Sequence, residues 1–459
     1  MVGESSDKRK AFHVPQSGAR IQTIGWFTAG CLLVSNIIGG GIFTTTGLMA
    51  RELGEPMLIL LLWTLGGVFA VGGAMVYGEL GSRFPQAGGD YVYLREAYGP
   101  LVAYLSGWTS FTIGFGAAVA ASAISFSAYA LRIIPIVDTT GWCAKVLSLT
   151  LLWSVTLVHC GGLAGGGRLQ RIVTTTKLVA IGALIVGGLS ASGAQWGWLS
   201  TTEMVVSRPS GSVALAFIIV IYCYLGWNVA GFIASEISNP RRTLPKVMIF
   251  GTAFVTAIYV LLNTVYLSAL SISALADEPI VPVAEKSAAA LWGPLSGYFV
   301  AGLLCVSIAG AVSAMTWAGP RVYWAMAEDG VISPWLARRH PASGVPARAI
   351  VLQTLWASLL ILTGSFEQLI VYSGIVLAFF MALTLSTIFR LRSRRQEHAP
   401  HYRTPWYPVL PVCLIGGTLF VVGSSLLQRP VEALFGAITV AAGLPFYLYW
   451  QRRRQAQAP

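Results

Sequence analysis

About twelve stretches of some 20 predominantly apolar residues run through this chain, separated mostly by short polar segments. Each crossing of a hydrocarbon core about 30 Å thick takes about 20 such residues in a helix. The spacing predicts spans beginning near residues 21, 57, 100, 146, 170, 212, 245, 294, 348, 367, 406 and 431, which leaves no length for a soluble domain. Composition decides the same point: 10% of the 459 residues are charged, against about 25% in a soluble domain. The expected fold class is an all-α integral membrane protein with about 12 transmembrane helices.

Charge placement orients those spans, because cytoplasmic loops of membrane proteins collect Lys and Arg. With both termini inside, 24 of the 30 basic residues fall on the cytoplasmic side, counting Lys177 of span 5 by its nearer end; Arg51, Arg132, Lys145, Arg208, Lys286 and Arg429 are the exceptions. The net charge of +12 therefore reads as topology plus attraction to anionic inner-leaflet lipid, and needs no nucleic-acid partner. Residues 1–20 carry Lys8, Arg9, Lys10 and Arg20 and read as a cytoplasmic tail, and no small-residue cleavage pattern follows span 1, so that span is expected to be retained. A multi-pass protein of the cell (plasma or inner) membrane is expected.

Two spans are interrupted. SNIIGGGIF at 35–43 places Gly39, Gly40 and Gly41 inside span 1, and YCYLGWNVAGF at 222–232 places Gly226 and Gly231 inside span 6. Each helix-interior glycine costs about 1 kcal/mol relative to alanine, and an unwound backbone leaves groups that lipid cannot satisfy. The first break alone is explained equally well by close helix packing. Two breaks, five spans apart, fit a transporter built from two inverted repeats that holds its substrate at the membrane midplane. A five-plus-five repeat gives a ten-helix transport core at 21–400, with helices 11 and 12 and a cytoplasmic C-terminal tail at 401–459.

The broken backbone suggests the ligand. Where span 1 resumes near Ile42, the freed N–H groups of Gly39, Gly40 and Gly41 and the positive end of a helix dipole favour a carboxylate. The carbonyls that end each first half, around Ile37 and around Tyr222 to Leu225, favour an ammonium. Together they suit the head of a free α-amino acid.

Four stretches then carry a family resemblance: IIGGGIF at 37–43, YGELGSRFPQAGGDYVYLREAYGP at 77–100, RLQRIVTTTKL at 168–178 and YCYLGWNVAGFIASEISNPRRTLP at 222–245, with AGPRVYWAMAEDG at 318–330 in support. The chain resembles an amino acid/polyamine/organocation (APC) superfamily transporter, closest to the L-type amino acid transporter (LAT) branch. The resemblance implies the LeuT-like fold with broken helices 1 and 6, and a secondary transporter working by alternating access. Carried over by position, it implies carboxylate binding by Gly39, Gly40 and Gly41 and ammonium binding by the carbonyls of Ile37, Tyr222 and Leu225. It implies that Tyr222 closes over bound substrate from outside. Asn228 either supports the unwound segment or contacts the ligand. Gly40 stands where the family usually has serine, and Leu225 where it commonly has a small residue, so a small or medium neutral L-amino acid is expected.

Lys177 sits at mid-helix depth in span 5, where a lysine costs roughly 2.5–3.5 kcal/mol. Spacing from Arg168 also permits it to snorkel to the inner interface. The resemblance implies a lysine that takes the place of a sodium ion and ties helix 5 to unwound helix 1, hence sodium-independent transport with Lys177 at the inner gate. Glu79 and Glu236 are expected to pair with inner-loop residues such as Arg83, Arg95 or Arg241, as a structural pair or as part of that gate, and Asp329 reads as an ordinary interfacial residue.

No motif calls for a cofactor, and the six cysteines and His159 show no metal-ligand spacing. No catalytic residue set appears at useful spacing, so the chain is expected not to be an enzyme. A membrane-embedded enzyme and an amino acid sensor on a transport fold are the readings from other classes. Within transport, exchange, facilitated diffusion and proton-coupled symport all fit. Cys143 lacks the local context of the cysteine that bonds a glycoprotein heavy chain in some relatives, so no such partner is expected.

Overall fold

The computed structural model describes residues 23–134, 141–199, 210–277, 282–363, 366–393, 401–428 and 430–456; the tail expected at 1–20 lies outside the described residues. The first apolar run is two helices, α1 (Trp26–Ile37) and α2 (Thr45–Leu53), joined through a 3-10 turn at Gly41–Phe43. After α3 (Pro56–Arg83) comes a short helix between predicted spans, α4 (Asp90–Tyr98). The third run is α5 (Pro100–Thr109), a π-helical turn at Ser110–Phe115 and α6 (Gly116–Ile133). The next two, α7 (Trp142–Gly161) and α8 (Leu163–Leu189), meet at Gly162.

The sixth run is broken like the first, into α9 (Ser210–Tyr224) and α10 (Val229–Phe232), with a further turn at Ala234–Glu236. Then follow α11 (Pro240–Ala269), the short α12 (Ile272–Ala276) and α13 (Val283–Trp292), and α14 (Leu295–Glu328). The chain ends with α15 (Ala347–Thr363), α16 (Phe366–Ser393), α17 (Val409–Gln428) and α18 (Pro430–Ala456).

Among the described residues, nine helical segments are long and apolar enough to cross a membrane, and α1, the inner part of α9 and α15 are shorter apolar helices. Together they account for the twelve predicted runs. Proline at the first turn starts α3, α5 and α11, where its missing N–H has no intrahelical acceptor to lose. The fifth helix begins at Leu163, seven residues before the predicted 170, because Gly162 at φ 142° turns the chain from α7 into α8 without a polar loop.

The core gathers around α14, the most buried of the nine spans, which contributes Trp317 and Tyr323 to the interior. It packs on α1, α6 and α8, while α3 packs along α11. α18 is the least buried span and rests on α5 and α16.

At the end of the bundle that carries most of the basic residues, Glu79 of α3 is fully buried. Its carboxylate accepts from Arg83 at 2.8 Å, from Arg392 of α16 at 2.9 and 2.5 Å, and from the Thr404 backbone N–H at 2.7 Å. The Arg83 partner matches expectation, whereas Arg392 lies 313 residues away along the chain. Four donors satisfy the charge and fasten α3, α16 and the segment leading to α17 to one another. Removing the carboxylate strands two cations in a shielded place, for which about 3 kcal/mol is a usual cost. Glu79→Ala should therefore lower the melting temperature of purified protein by several degrees, and Arg392→Ala should lower it less because Arg83 still serves the carboxylate.

Candidate substrate site at the two broken helices

α1 stops at Ile37, and its last carbonyls need donors from elsewhere. Lys177 of α8 supplies them. Its ammonium donates to the Ser35 carbonyl at 3.3 Å, the Ser35 hydroxyl at 3.2 Å and the Ile38 carbonyl at 2.6 Å. Lys177 is fully buried, which rules out snorkelling in this conformation. A cation at the negative end of a helix dipole is favourable, so one side chain both caps α1 and offsets the cost of its own burial. Ser307 of α14 adds a hydroxyl to the Ile38 carbonyl at 3.3 Å.

Tyr259 of α11 connects the two breaks. Its hydroxyl lies 2.8 Å from the Ile37 carbonyl and 3.2 Å from that of Cys223 in the last turn of α9. Asn36 makes a second connection, donating from Nδ2 to the Gly226 carbonyl at 3.1 Å. Gly226 has φ 110°, and a Cβ there would lie 2.3 Å from Asn36 Nδ2, so only glycine lets the breaks meet this closely. Asn36 Oδ1 is buried without a partner among the described residues.

The glycine loop is not uniform. The Gly39 N–H turns back onto the Ile37 carbonyl at 2.9 Å, whereas those of Gly40 and Gly41 have no acceptor among the described residues. A Cβ on Gly41 would come within 2.8 Å of Cys223 Sγ, so close packing against α9 also explains glycine at that position. A Cβ on Gly39 would meet nothing within 4 Å, and one on Gly40 only the tip of Ile308 at 4.0 Å. These two positions border open space.

The carbonyls expected to take an ammonium are unequally available. Ile37 O already accepts from both Tyr259 and Gly39, which occupies its two lone pairs. Among the described residues, Tyr222 O accepts only the Leu225 N–H, at 3.1 Å. The Tyr222 side chain lies toward Gly374 of α16, and Leu225 is partly buried against the core. Asn228 donates from Nδ2 to Asp90 of α4 at 3.3 Å. That contact favours the supporting role for Asn228 over ligand contact.

Glu236 has a different partner from any expected. It accepts from Arg321 at 2.9 Å and from the Trp317 indole at 2.8 Å, both on α14. The reason is backbone pairing: Ile24 N–H donates to Glu236 O at 2.8 Å and Ser238 N–H to Ile24 O at 3.0 Å, which draws Glu236 inward to the start of α1 and away from Arg83, Arg95 and Arg241. Asp329 is likewise engaged, accepting from Tyr91 at 2.6 Å and Arg95 at 2.5 Å. His159 bonds Ser313 at 2.9 Å and packs on Trp317.

Sequence reasoning passed over Tyr259, Asn36, Arg321 and Asp90. Tyr259 sits in a long helix with no local pattern to mark it, and Arg321 lies in the AGPRVYWAMAEDG stretch, which names no partner for it. Asn36 and Asp90 did carry a signal, as polar residues beside a glycine run.

A bundle whose first and sixth spans both break, with unpaired backbone groups where the breaks face each other, has the architecture of a secondary transporter. The amino acid permease family model matches residues 24–439, and the chain belongs to that family. It is 30% identical to the serine/threonine exchanger SteT of Bacillus subtilis (strain 168) over 97% of this chain and 100% of that protein. It is 27% identical to the human large neutral amino acids transporter small subunit 2, over 98% of this chain and 85% of the relative. It is 28% identical to the mouse Asc-type amino acid transporter 1, over 94% and 82%. These relatives are transporters, and the chain is not an enzyme.

Two predictions follow from the geometry. Lys177→Ala removes three charge-assisted contacts, each worth about 1.5–3 kcal/mol. Transport by that variant in proteoliposomes should fall at least about tenfold even if only one contact matters. The second concerns Asp90, whose carboxyl is pushed from 3.8 up to about 7 by burial. A folded-state value above the unfolded one means that folding takes up a proton between those limits, so stability declines as pH rises from about 4 to 7. The melting temperature should fall between pH 5 and 7.5, and Asp90→Asn should remove part of that decline.

Proposed function

We propose that this protein is a secondary transporter of the cell membrane that exchanges small or medium neutral L-amino acids without sodium, with both termini cytoplasmic. The observation that carries the reading is the pair of unacceptored N–H groups at Gly40 and Gly41 opposite the carbonyl-rich end of α9. A zwitterionic head needs donors and acceptors within a few ångströms of each other, and glycine allows the backbone itself to supply them. The substrate carboxylate sits on Gly40 and Gly41, with Gly39 nearest the turn. Its ammonium takes the carbonyls of Tyr222 and Leu225, and reaches Ile37 when Tyr259 or Gly39 gives way.

Leu225 shortens the side-chain space, and SteT, a relative named as a serine/threonine exchanger, supports small substrates. Lys177 holds the end of α1 with a built-in charge where a bound cation could otherwise serve, and so supports sodium independence. Tyr222, beside α16, closes the outer side. Glu236, tied to Arg321 and Trp317 and through its backbone to Ile24, holds the inner side until α1 moves. No heavy chain is required, since the surroundings of Cys143 do not match those of the family's bridging cysteine.

Labelled serine uptake into proteoliposomes tests the reading. Uptake should require unlabelled amino acid inside, and should be unchanged when choline replaces sodium. Uptake into empty vesicles driven by an inward pH gradient would make proton symport the better reading. Gly40→Leu should abolish serine binding while leaving the melting temperature near wild type, because its side chain enters the open space beside Ile308.

A further inference from the structure

On the outer surface of the bundle, α1, α8 and α11 enclose a groove of about 770 Å³. It is separate from the space between the two breaks. One wall is Phe27, Gly30 and Val34 of α1, and the facing wall is Phe250, Gly251 and Phe254 of α11. At the end where α11 begins, Arg242 and Lys246 form the mouth. No acidic side chain lines the groove, and no ion pair is formed by Arg242 or Lys246 among the described residues.

We propose that this groove binds an anionic glycerophospholipid of the inner leaflet, with its phosphate on Arg242 and Lys246 and one acyl chain between α1 and α11. The dimensions agree. Twelve residues separate Arg242 from Phe254, about 18 Å along a helix at 1.5 Å per residue, against about 15 Å for half of a 30 Å hydrocarbon core. The rim residues Trp26 and Phe250 are 70% and 71% exposed in the isolated chain, as expected of side chains that meet lipid. The polarity gradient, cationic at the interface and apolar in depth, matches an anionic headgroup above a hydrocarbon tail.

The chain's own N-terminal segment is the alternative occupant, but its Lys8, Arg9, Lys10 and Arg20 would meet a mouth of the same sign. Gly30 keeps the groove open, since a Cβ built there meets nothing within 4 Å. A lipid seated here lies directly behind α1, whose far end is held by Lys177, so it biases how readily α1 swings.

Native mass spectrometry of the full-length protein, released from micelles with equal palmitoyl-oleoyl phosphatidylglycerol and phosphatidylcholine, tests the assignment. Wild type should retain one phosphatidylglycerol in preference to phosphatidylcholine. The double variant Arg242→Ala/Lys246→Ala should lose that preference at least about tenfold. Gly30→Leu, which fills the groove without changing charge, should lose it too, and Arg241→Ala, outside the groove, should not. Melting curves in lipid-free detergent confirm that each variant is folded; if the double variant is not, Gly30→Leu carries the test. Equal retention by wild type and Gly30→Leu would overturn the site, because a diffuse electrostatic annulus does not depend on groove shape. Greater retention after deletion of residues 1–22 would overturn it as well, by showing that the tail fills the groove.

Discussion

The three bonds from the Lys177 ammonium to the end of α1 are what let that helix stop inside the bundle. A helix that ends inside a membrane exposes carbonyls that neither lipid nor the next residues can satisfy. A buried lysine has the matching deficit, with a charge and donors that need acceptors. Each is costly alone, and each removes most of the other's cost. With α1 ended in this way the chain can turn through Gly39 and restart at Gly41, which leaves two backbone N–H groups without acceptors among the described residues. Tyr259 and Asn36 extend the same solution to α9, so that the two breaks lie side by side.

The contacts at the basic end of the bundle differ in kind. Glu79 is satisfied by four donors and joins α3 to α16, which suits a fixed scaffold. Glu236 joins α14 to the short segment that also pairs with Ile24 just before α1. Its side-chain partners both lie on α14, and its backbone pairs with the residue just before α1. Arg95 and Asp329 form a third link, between α4 and the end of α14. The carboxylates at this end thus differ in how fully they are held: Glu79 receives four donors, whereas Glu236 and Asp329 receive two each.

Much of this was legible in the sequence, for physical reasons. The apolar runs and the two glycine breaks are local signals, and the bilayer admits few ways to satisfy them, so the twelve runs and the interrupted first and sixth helices were found where expected. Lys177 was visible as an ionisable group at a depth where none is cheap. The partner of Glu236 was not visible, because Arg321 lies 85 residues further on in a helix whose pattern is otherwise apolar. Tyr259 was hidden for the same reason, being one aromatic among many in α11. The unequal state of the three glycines also depends on backbone torsion, which composition does not carry: Gly39 closes on Ile37, Gly41 packs on Cys223, and Gly40 faces open space.

The central claim is that the broken ends of α1 and α9 are the seat of an amino acid head group. A structure of the protein with bound L-serine tests it most directly. The account predicts carboxylate oxygens within about 3 Å of the Gly40 and Gly41 nitrogens, with the ammonium on carbonyls of the α9 break. A ligand held elsewhere, with those two N–H groups bonded only to protein, would contradict it.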